Sequence, residues 1–212
     1  MKTYPCPLCE SVQTDFKIHA KNRDFFSCAT CKLIFVSPEQ LLNETQEKNR
    51  YNQHENNILS KGYKEFLNEI ITPLLAHVKP LSHGLDFGSG PFPALAQLLR
   101  EQHFKVDLYD PFYAKDESVF TKKYDFITLT EVAEHLYNPA KEFDRIIPLL
   151  KQDGFLAIMT SRTDTIQEFE HWYYIKDQTH VCFYADASIK YLAKKYHLQV
   201  KFVSDRVVIF QK

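Results

Sequence analysis

Four of the five cysteines in this 212-residue sequence stand in two pairs, Cys6-x-x-Cys9 and Cys28-x-x-Cys31, with 18 residues between the pairs. Two thiolates on one tight turn can converge on a single metal ion, and a short hairpin of this length can bring the second pair over the first. Four sulfurs leave no open coordination position, so the chemistry expected is a closed structural zinc site rather than a catalytic one. Two disulfides, or four free thiols, are the alternatives. The opening MKTYPCPLCE has no apolar stretch behind its lysine, which predicts no secretory leader and a reducing, cytoplasmic location that disfavours disulfides. A thioredoxin-like redox pair would need a strand before one C-x-x-C and a helix after it, and neither pattern is present. Cys182 lies alone in the strand-like run His180 to Tyr184 and reads as a small buried residue.

Glycine is scarce, and three of the five fall at positions 84, 88 and 90. The pattern is Asp86-x-Gly88-x-Gly90, with Pro93 where a dinucleotide fingerprint requires its third glycine. Proline cannot provide that helix–strand packing, which disfavours a nicotinamide-dependent oxidoreductase. An acid two residues before the first glycine suits a cationic ligand group better than a pyrophosphate. Asp110 ends the next strand-like run, where its oxygens could accept hydrogen bonds from ribose hydroxyls. An ammonium, a close-packed chain and a ribose describe a ligand such as S-adenosylmethionine.

These residues need elements to hold them. Gly84 to Phe87, Lys105 to Tyr109, Tyr124 to Leu129 and Gly154 to Thr160 read as strands. Helical periodicity covers Leu67 to Val78, Ala94 to Leu99, Pro139 to Leu150 and Asp186 to His197 (with Asp186 as a cap), and two strands, Gln199 to Val203 and Arg206 to Gln211, follow. Pro73 falls inside the first helical pattern, which leaves a kinked helix and a second helix starting at Thr72-Pro73 both open. Strands alternating with helices predict an α/β fold with a doubly wound, mostly parallel sheet, its ligand at the carboxyl ends of the strands. The expected division is a zinc ribbon at 1–36, a linker or lid at 37–59 and the ligand-binding domain at 60–212.

The segments GLDFGSGPFP, YDPFY, YDFITLTEVAEHLYNP and LLKQDGFLAIMTSRT follow one another in this order. Together they resemble the class I S-adenosylmethionine-dependent methyltransferases over roughly residues 50–212, especially bacterial members with a segment like HWYYIKDQTHVCFY, here His171 to Tyr184. The resemblance implies a Rossmann-like fold and methyl transfer. It implies that Gly88 and Gly90 let the backbone approach the methionine part of the cofactor, with Phe87 and Pro111 in the same loops. Asp86 would help hold the amino group, Asp110 the ribose, and Glu131 would lie beside the sulfonium. The usual fold has a helix and a further strand between Asp110 and Tyr124, but only the 13 residues from Pro111 to Lys123 are available. We therefore expect the outer strand to be missing or vestigial, with Phe112 and Tyr113 packing on the adenine side.

In-line methyl transfer needs alignment, exclusion of water, and a base where the nucleophile carries a proton. The candidates for that base are Glu131, Glu134 and His135, which would share a face on a helical turn, and His180. Glu134 and His135 could instead brace the loop, and His180 could be a packed histidine bonded to backbone. Trp172, Tyr173 and Tyr174 read as core or lid packing more readily than as a substrate cage. Tyr51, His54 and Asn57 could cover the cofactor, or form a solvated linker.

The composition, 44% hydrophobic and 25% charged, is that of a folded chain, and the net charge of -1 argues against a protein that coats nucleic acid. No apolar run is long enough to span a membrane. The acceptor expected is a small molecule or a protein. RNA is the nearest alternative, because some ribosomal RNA guanine methyltransferases are similar in carrying an N-terminal zinc finger before this fold. The first 32 residues hold five Lys/Arg against three Asp/Glu, a bias too small to decide. A non-catalytic interaction protein built on the same scaffold is the rival from another class.

Overall fold

The computed structural model describes residues 2–52 and 60–212. The first 36 residues form strands β1 (Thr14–Ala20), β2 (Arg23–Cys28) and β3 (Ile34–Val36), paired antiparallel in that order. A single 3-10 turn and helix α1 (Glu44–Tyr51) follow. Asn43 caps α1 in a reciprocal box, its side chain accepting from the Gln46 amide while the Gln46 side chain accepts from the Asn43 amide. Helix α2 (Lys61–Leu75) runs through Pro73 as one element. A proline so close to the end of a helix breaks little, and Leu67, Ile70, Ile71 and Leu74 on one face are buried.

The chain then alternates: β4 (His83–Phe87), α3 (Ala94–Glu101), β5 (Lys105–Tyr109), β6 (Tyr124–Thr130), α4 (Pro139–Ile146), β7 (Leu150–Met159), the short β8 (Cys182–Phe183), α5 (Asp186–Lys195), β9 (Gln199–Val203) and β10 (Val207–Gln211). Six strands make one sheet in the order β5-β4-β6-β7-β10-β9. The first four are parallel and β10 is antiparallel to both its neighbours. Apolar side chains of α2 and α3 pack with Phe126, Ala157, Met159, Val207 and Ile209 on one face. Those of α4, α5 and the N-terminal strands pack with Leu85, Ile127, Leu156 and Val208 on the other.

As the short 111–123 segment predicts, no strand lies outside β5 among the described residues. The segment makes one bridge, Asp110 to Ala114, and a 3-10 turn over Glu117–Thr121. Charge guards the open edge, where Lys122 pairs with Asp107 at 2.8 Å and the Tyr124 hydroxyl donates to the same carboxylate at 3.1 Å. Two expectations need correction. The helix predicted to reach Leu150 ends at Ile146, because Pro148 brings no amide hydrogen to the ladder, and the chain passes through a 3-10 turn straight into β7. The N-cap of α5 is Ala185, its amide donating to Ser188 Oγ at 3.1 Å, and Asp186 is the first helical residue.

The N-terminal strands are not a separate bead. β3 pairs with β8, so Cys182 and Phe183 supply the fourth strand of the small sheet. Ala140 at the start of α4 donates to Pro7 O at 3.1 Å, and Ser188 Oγ donates to Cys31 O at 2.8 Å. The deepest tie is Arg23, 6% exposed, whose guanidinium donates to four carbonyls of one loop: Ile175 at 2.5 Å, His180 at 2.8 Å, Asp177 at 3.0 Å and Gln178 at 3.2 Å. Burial pulls its pKa down to about 10, still charged at neutral pH. Removing the donor leaves buried carbonyls unpaired, so Arg23→Ala should cost about 3 kcal/mol in urea unfolding. Arg23→Lys, which cannot fan out to four acceptors, should recover less than half of that loss.

Candidate functional site

A cleft of about 730 Å³ opens at the carboxyl ends of β4, β5 and β6. Its floor is the glycine turn. Gly88 has φ +76, and a Cβ there would stand 2.5 Å from the Val132 side chain. The amides of Gly88 and Ser89 both donate to Tyr109 O, at 2.8 and 3.2 Å, which ties the turn to β5. Gly90 has φ +64 but opens onto clear space.

Asp86 lies in the cleft wall almost fully buried, with the Thr128 hydroxyl donating to it at 2.8 Å. Burial pushes its pKa up to about 6. Asp110, also in the wall, accepts backbone amides from Gly90 (2.9 Å), Phe112 (2.8 Å) and Tyr113 (3.1 Å). It therefore splints the glycine turn to the next loop, and with about four lone-pair sites on a carboxylate it keeps about one for a ligand. Phe87 and Pro111 line the same wall, with Phe112 and Tyr113 at its β5 side. Tyr51 closes the roof, its ring 5.8 Å from Phe112 and 5.3 Å from His135, while its hydroxyl donates to Glu47 at 2.9 Å. The other two lid candidates, His54 and Asn57, lie outside the described residues.

Glu131 follows β6 with φ 52, a left-handed conformation that a non-glycine residue adopts at a cost of order 1–3 kcal/mol. Its amide donates to Met159 O at 2.8 Å, and burial pushes its carboxyl up to about 7. The helical turn expected around it is one 3-10 turn, Ala133–His135, with Glu131 outside it. This divides the candidates. Glu131 and His135 line the cleft, while Glu134 is fully buried behind it. The Tyr174 hydroxyl donates to Glu134 and stands 3.3 Å from Glu131, and Thr160 Oγ1 donates to Glu134 at 2.8 Å. Burial and the neighbouring Glu131 charge push Glu134 up to about 8.

His135 Nδ1 lies 3.1 Å from Thr179 O and His180 Nδ1 lies 2.8 Å from Tyr174 O. A carbonyl only accepts, so each imidazole carries a hydrogen on Nδ1, and in the neutral ring the lone pair is on Nε2. The two rings are 4.7 Å apart and both line the cleft. None of the three lines the cleft: Trp172 and Tyr174 are buried, as the packing reading expects, and Tyr173 is exposed.

Sequence reasoning missed Tyr174 as the bridge between two carboxyls, and nothing in its local pattern signals that role. It also missed Ser89 and Thr130, which line the cleft and, with Glu131, hold buried side-chain oxygens without a hydrogen-bond partner (Oγ, Oγ1 and Oε1). Ser89 was within reach, since it stands between the two glycines. Buried polar atoms without partners are costly unless a ligand supplies them. These three, with Asp86, fit a polar, cationic guest.

The four cysteine sulfurs all lie within 4.8 Å of one another, with Cys6 to Cys31 at 3.5 Å and Cys9 to Cys28 at 3.4 Å. All are free thiols, and sulfurs on a tetrahedral zinc at about 2.3 Å would stand about 3.8 Å apart. Each pair ends in the same knuckle: Glu10 (φ 59) donates to Cys6 O at 2.9 Å, and Lys32 (φ 60) donates to Cys28 O at 3.0 Å. A hydrogen bond from Cys31 draws Cys6 down to about 6, while the same bond and burial push Cys31 far up. Cys182 is buried, donates to Leu136 O at 3.3 Å and is held well above the usual thiol range by burial, an inert packing residue.

The family described as Methyltransferase domain matches residues 58–201. Among solved structures, the fold is similar to the 1,6-didemethyltoxoflavin-N1-methyltransferase of Burkholderia thailandensis, solved with 1,6-didemethyltoxoflavin and S-adenosylhomocysteine, at 14% identity, TM-score 0.56, over 93% of this chain and 99% of that one. It is similar to a SAM-dependent methyltransferase of Archaeoglobus fulgidus at 14% identity, TM-score 0.54, over 70% and 94% of the two chains. A putative sarcosine dimethylglycine methyltransferase of Galdieria sulphuraria matches at 16% identity, TM-score 0.53, over 75% and 76%. No curated protein matches the sequence.

The two glycines of the turn should respond differently to a methyl group. Gly88→Ala combines a left-handed φ with a collision against Val132 and should lose about 3 kcal/mol of stability. Gly90→Ala meets only the backbone preference and should lose about 1 kcal/mol. Urea unfolding of both variants checks this, and equal losses would contradict the packing described here.

Proposed function

The chain belongs to the methyltransferase-domain family and is a methyltransferase, and from that premise we propose that its methyl donor is S-adenosylmethionine, held in the cleft above the glycine turn. The observation that carries this reading is the set of buried acids in one polar cleft: Asp86, and Glu131 with its unpartnered Oε1. A ligand with an ammonium and a sulfonium supplies the two positive charges such acids lack. In this reading Gly88 and Gly90, with Phe87 beside them, admit the methionine part, Asp86 takes up the amino group, and the spare lone pair of Asp110, next to Pro111, meets the ribose. Glu131 faces the sulfonium. Tyr51 covers the cofactor from above.

When bound, S-adenosylmethionine supplies a methyl group already activated by positive sulfur. What the chain must add is alignment, exclusion of water and a place for the acceptor's polar hydrogen. The cleft-facing His135 and His180, with Nε2 lone pairs, form the acceptor wall. The acceptor is a small molecule or a protein side chain.

Residues 60–212 then form the cofactor-holding unit, 37–59 its cover, and 1–36 a ribbon closed by zinc on Cys6, Cys9, Cys28 and Cys31. The knuckle geometry and the packed sulfurs support the zinc. The Arg23 clamp supports a bracing role for the ribbon, because it holds the loop that carries His180.

Two measurements test the reading. Calorimetry with S-adenosylhomocysteine and S-adenosylmethionine should show saturable binding of both, weakened at least tenfold by Asp86→Asn. Asp86 and Glu131 sit near 6 and 7 in the free protein, and a cationic ligand favours their ionised forms. S-adenosylmethionine affinity should therefore rise from pH 5.5 to 7.5 and level off above, with proton release on binding at pH 6. A flat profile with no proton release would contradict the charge pairing. Metal analysis should give about one zinc per chain, lost in Cys28→Ser; a purified protein that holds none would remove the ribbon metal but not the methyltransferase.

A further inference from the structure

Behind the cleft wall, three groups from two distant segments converge. One ligating atom each from Glu134, His135 and His180 lies within 4.8 Å of the others, and His135 Nε2 is 4.0 Å from Glu134 Oε1. The two histidines are oriented in the same way. Each spends its Nδ1 hydrogen on a main-chain carbonyl, Thr179 for His135 and Tyr174 for His180. In the neutral imidazoles the lone pair is therefore on Nε2, and His135 Nε2 faces Glu134 Oε1. Glu134 is oriented in turn by Thr160 and Tyr174, whose hydroxyls donate to its two oxygens.

We propose that Glu134, His135 and His180 form a site for a divalent transition-metal ion, separate from the cysteine cluster. Imidazole nitrogens fixed by carbonyls on their far side, with a carboxylate held by hydroxyls, are the outer-shell arrangement that aims ligands at a metal. Two imidazoles and a carboxylate suit manganese, iron, cobalt or zinc, whereas the four thiolates select a softer environment. Neighbouring donor atoms around an ion with bonds of about 2.1 Å stand about 3.0 to 3.4 Å apart, so the cluster, whose atoms lie within 4.8 Å of one another, closes on an ion with side-chain shifts of about 1 to 2 Å. His135 and His180 line the cleft, and the Tyr174 hydroxyl links Glu134 to Glu131 in the wall. An ion here would thus keep its open positions on the cleft side, where an oxygen of the acceptor could bind. This deepens the methyl-transfer reading and rests on it only for the identity of that oxygen. In it, His135 and His180 serve as ligands rather than as proton acceptors.

The test uses manganese, which prefers nitrogen and oxygen donors to thiolates. The full chain, treated with a chelator that spares the ribbon metal, is titrated with Mn2+ while free Mn2+ is followed by electron paramagnetic resonance. We expect saturable uptake of about one Mn2+ per chain, and losses in affinity of more than about 100-fold in His180→Gln and in Glu134→Gln. His135→Gln, on the partly exposed side, is the third variant, and circular dichroism with S-adenosylhomocysteine calorimetry on the same samples reports whether each variant is folded. S-adenosylhomocysteine binding without Mn2+ uptake, or equal uptake by wild type and folded variants, overturns the metal site and leaves the methyltransferase reading standing. Mn2+ uptake that the variants abolish, in a chain that binds no S-adenosylhomocysteine, supports the metal site and removes the cofactor reading instead.

Discussion

A guanidinium withdrawn from water must hand its hydrogens to acceptors, and acceptors in good geometry are scarce in an apolar interior. Arg23 meets this constraint at both terminal nitrogens with four carbonyls of a single loop, residues 175–180, while its Nε has no partner among the described residues. The loop is therefore shaped around a side chain that comes from the N-terminal ribbon, about 150 residues away in sequence. The same linkage continues outward: Val36 donates to Val181 O at 3.0 Å, and Val181 donates to Glu134 O at 2.8 Å. Three segments that meet at the cleft wall are thus fixed by main-chain bonds traceable to one buried cation. Asp177, at the turn of that loop, also accepts from Arg50 at 3.0 Å, which ties the end of α1 to the same place.

The cleft itself follows a different physical logic. Its glycine turn is locked to β5 by paired amides, and Asp110 is largely used in holding that turn. Other acids are held less completely. Asp86 has one hydroxyl donor, and Glu131 keeps one oxygen without a partner while its backbone sits in a left-handed conformation. A rigid floor beneath carboxyls raised by burial is a surface prepared for positive charge. The ribbon and the clamp make the scaffold stiff where the cleft is electrostatically unfinished.

Much of this was readable from residue types and spacing. The cysteine pairs, the glycine turn with its two acids, and the short 111–123 segment in place of an outer strand all appear in the structure where the sequence pointed. Local rules reach these features because each depends on neighbours a few residues apart. The helix end at Ile146 was also a local matter, and Pro148 was the signal that the apolar periodicity through Leu150 obscured. Other features lie beyond such rules. Arg23 reads as one more surface cation until residues 175–180 are folded around it. Cys182 and Phe183 read as an isolated strand pair until they become the edge of the ribbon's sheet. The spacing of Glu131, Glu134 and His135 suggested a shared helical face; a left-handed residue and a 3-10 turn put them on two sides of a wall instead. Tyr174 completes the cluster from a run that looks like plain aromatic packing. In each case the missing information was tertiary contact, which no window of sequence contains.

The pairing of β3 with β8 has a consequence for how the chain is made. A ribosome adding roughly 5 to 20 residues per second delivers β8 about 7 to 30 s after the N-terminal strands. During that interval the apolar rim of β3 and the Arg23 charge have no permanent covering, and the contact order of the final pairing is high. The N-terminal strands must therefore wait for an edge that is made late, and any ordering of Cys6, Cys9, Cys28 and Cys31 before then would come from contacts within the first 36 residues.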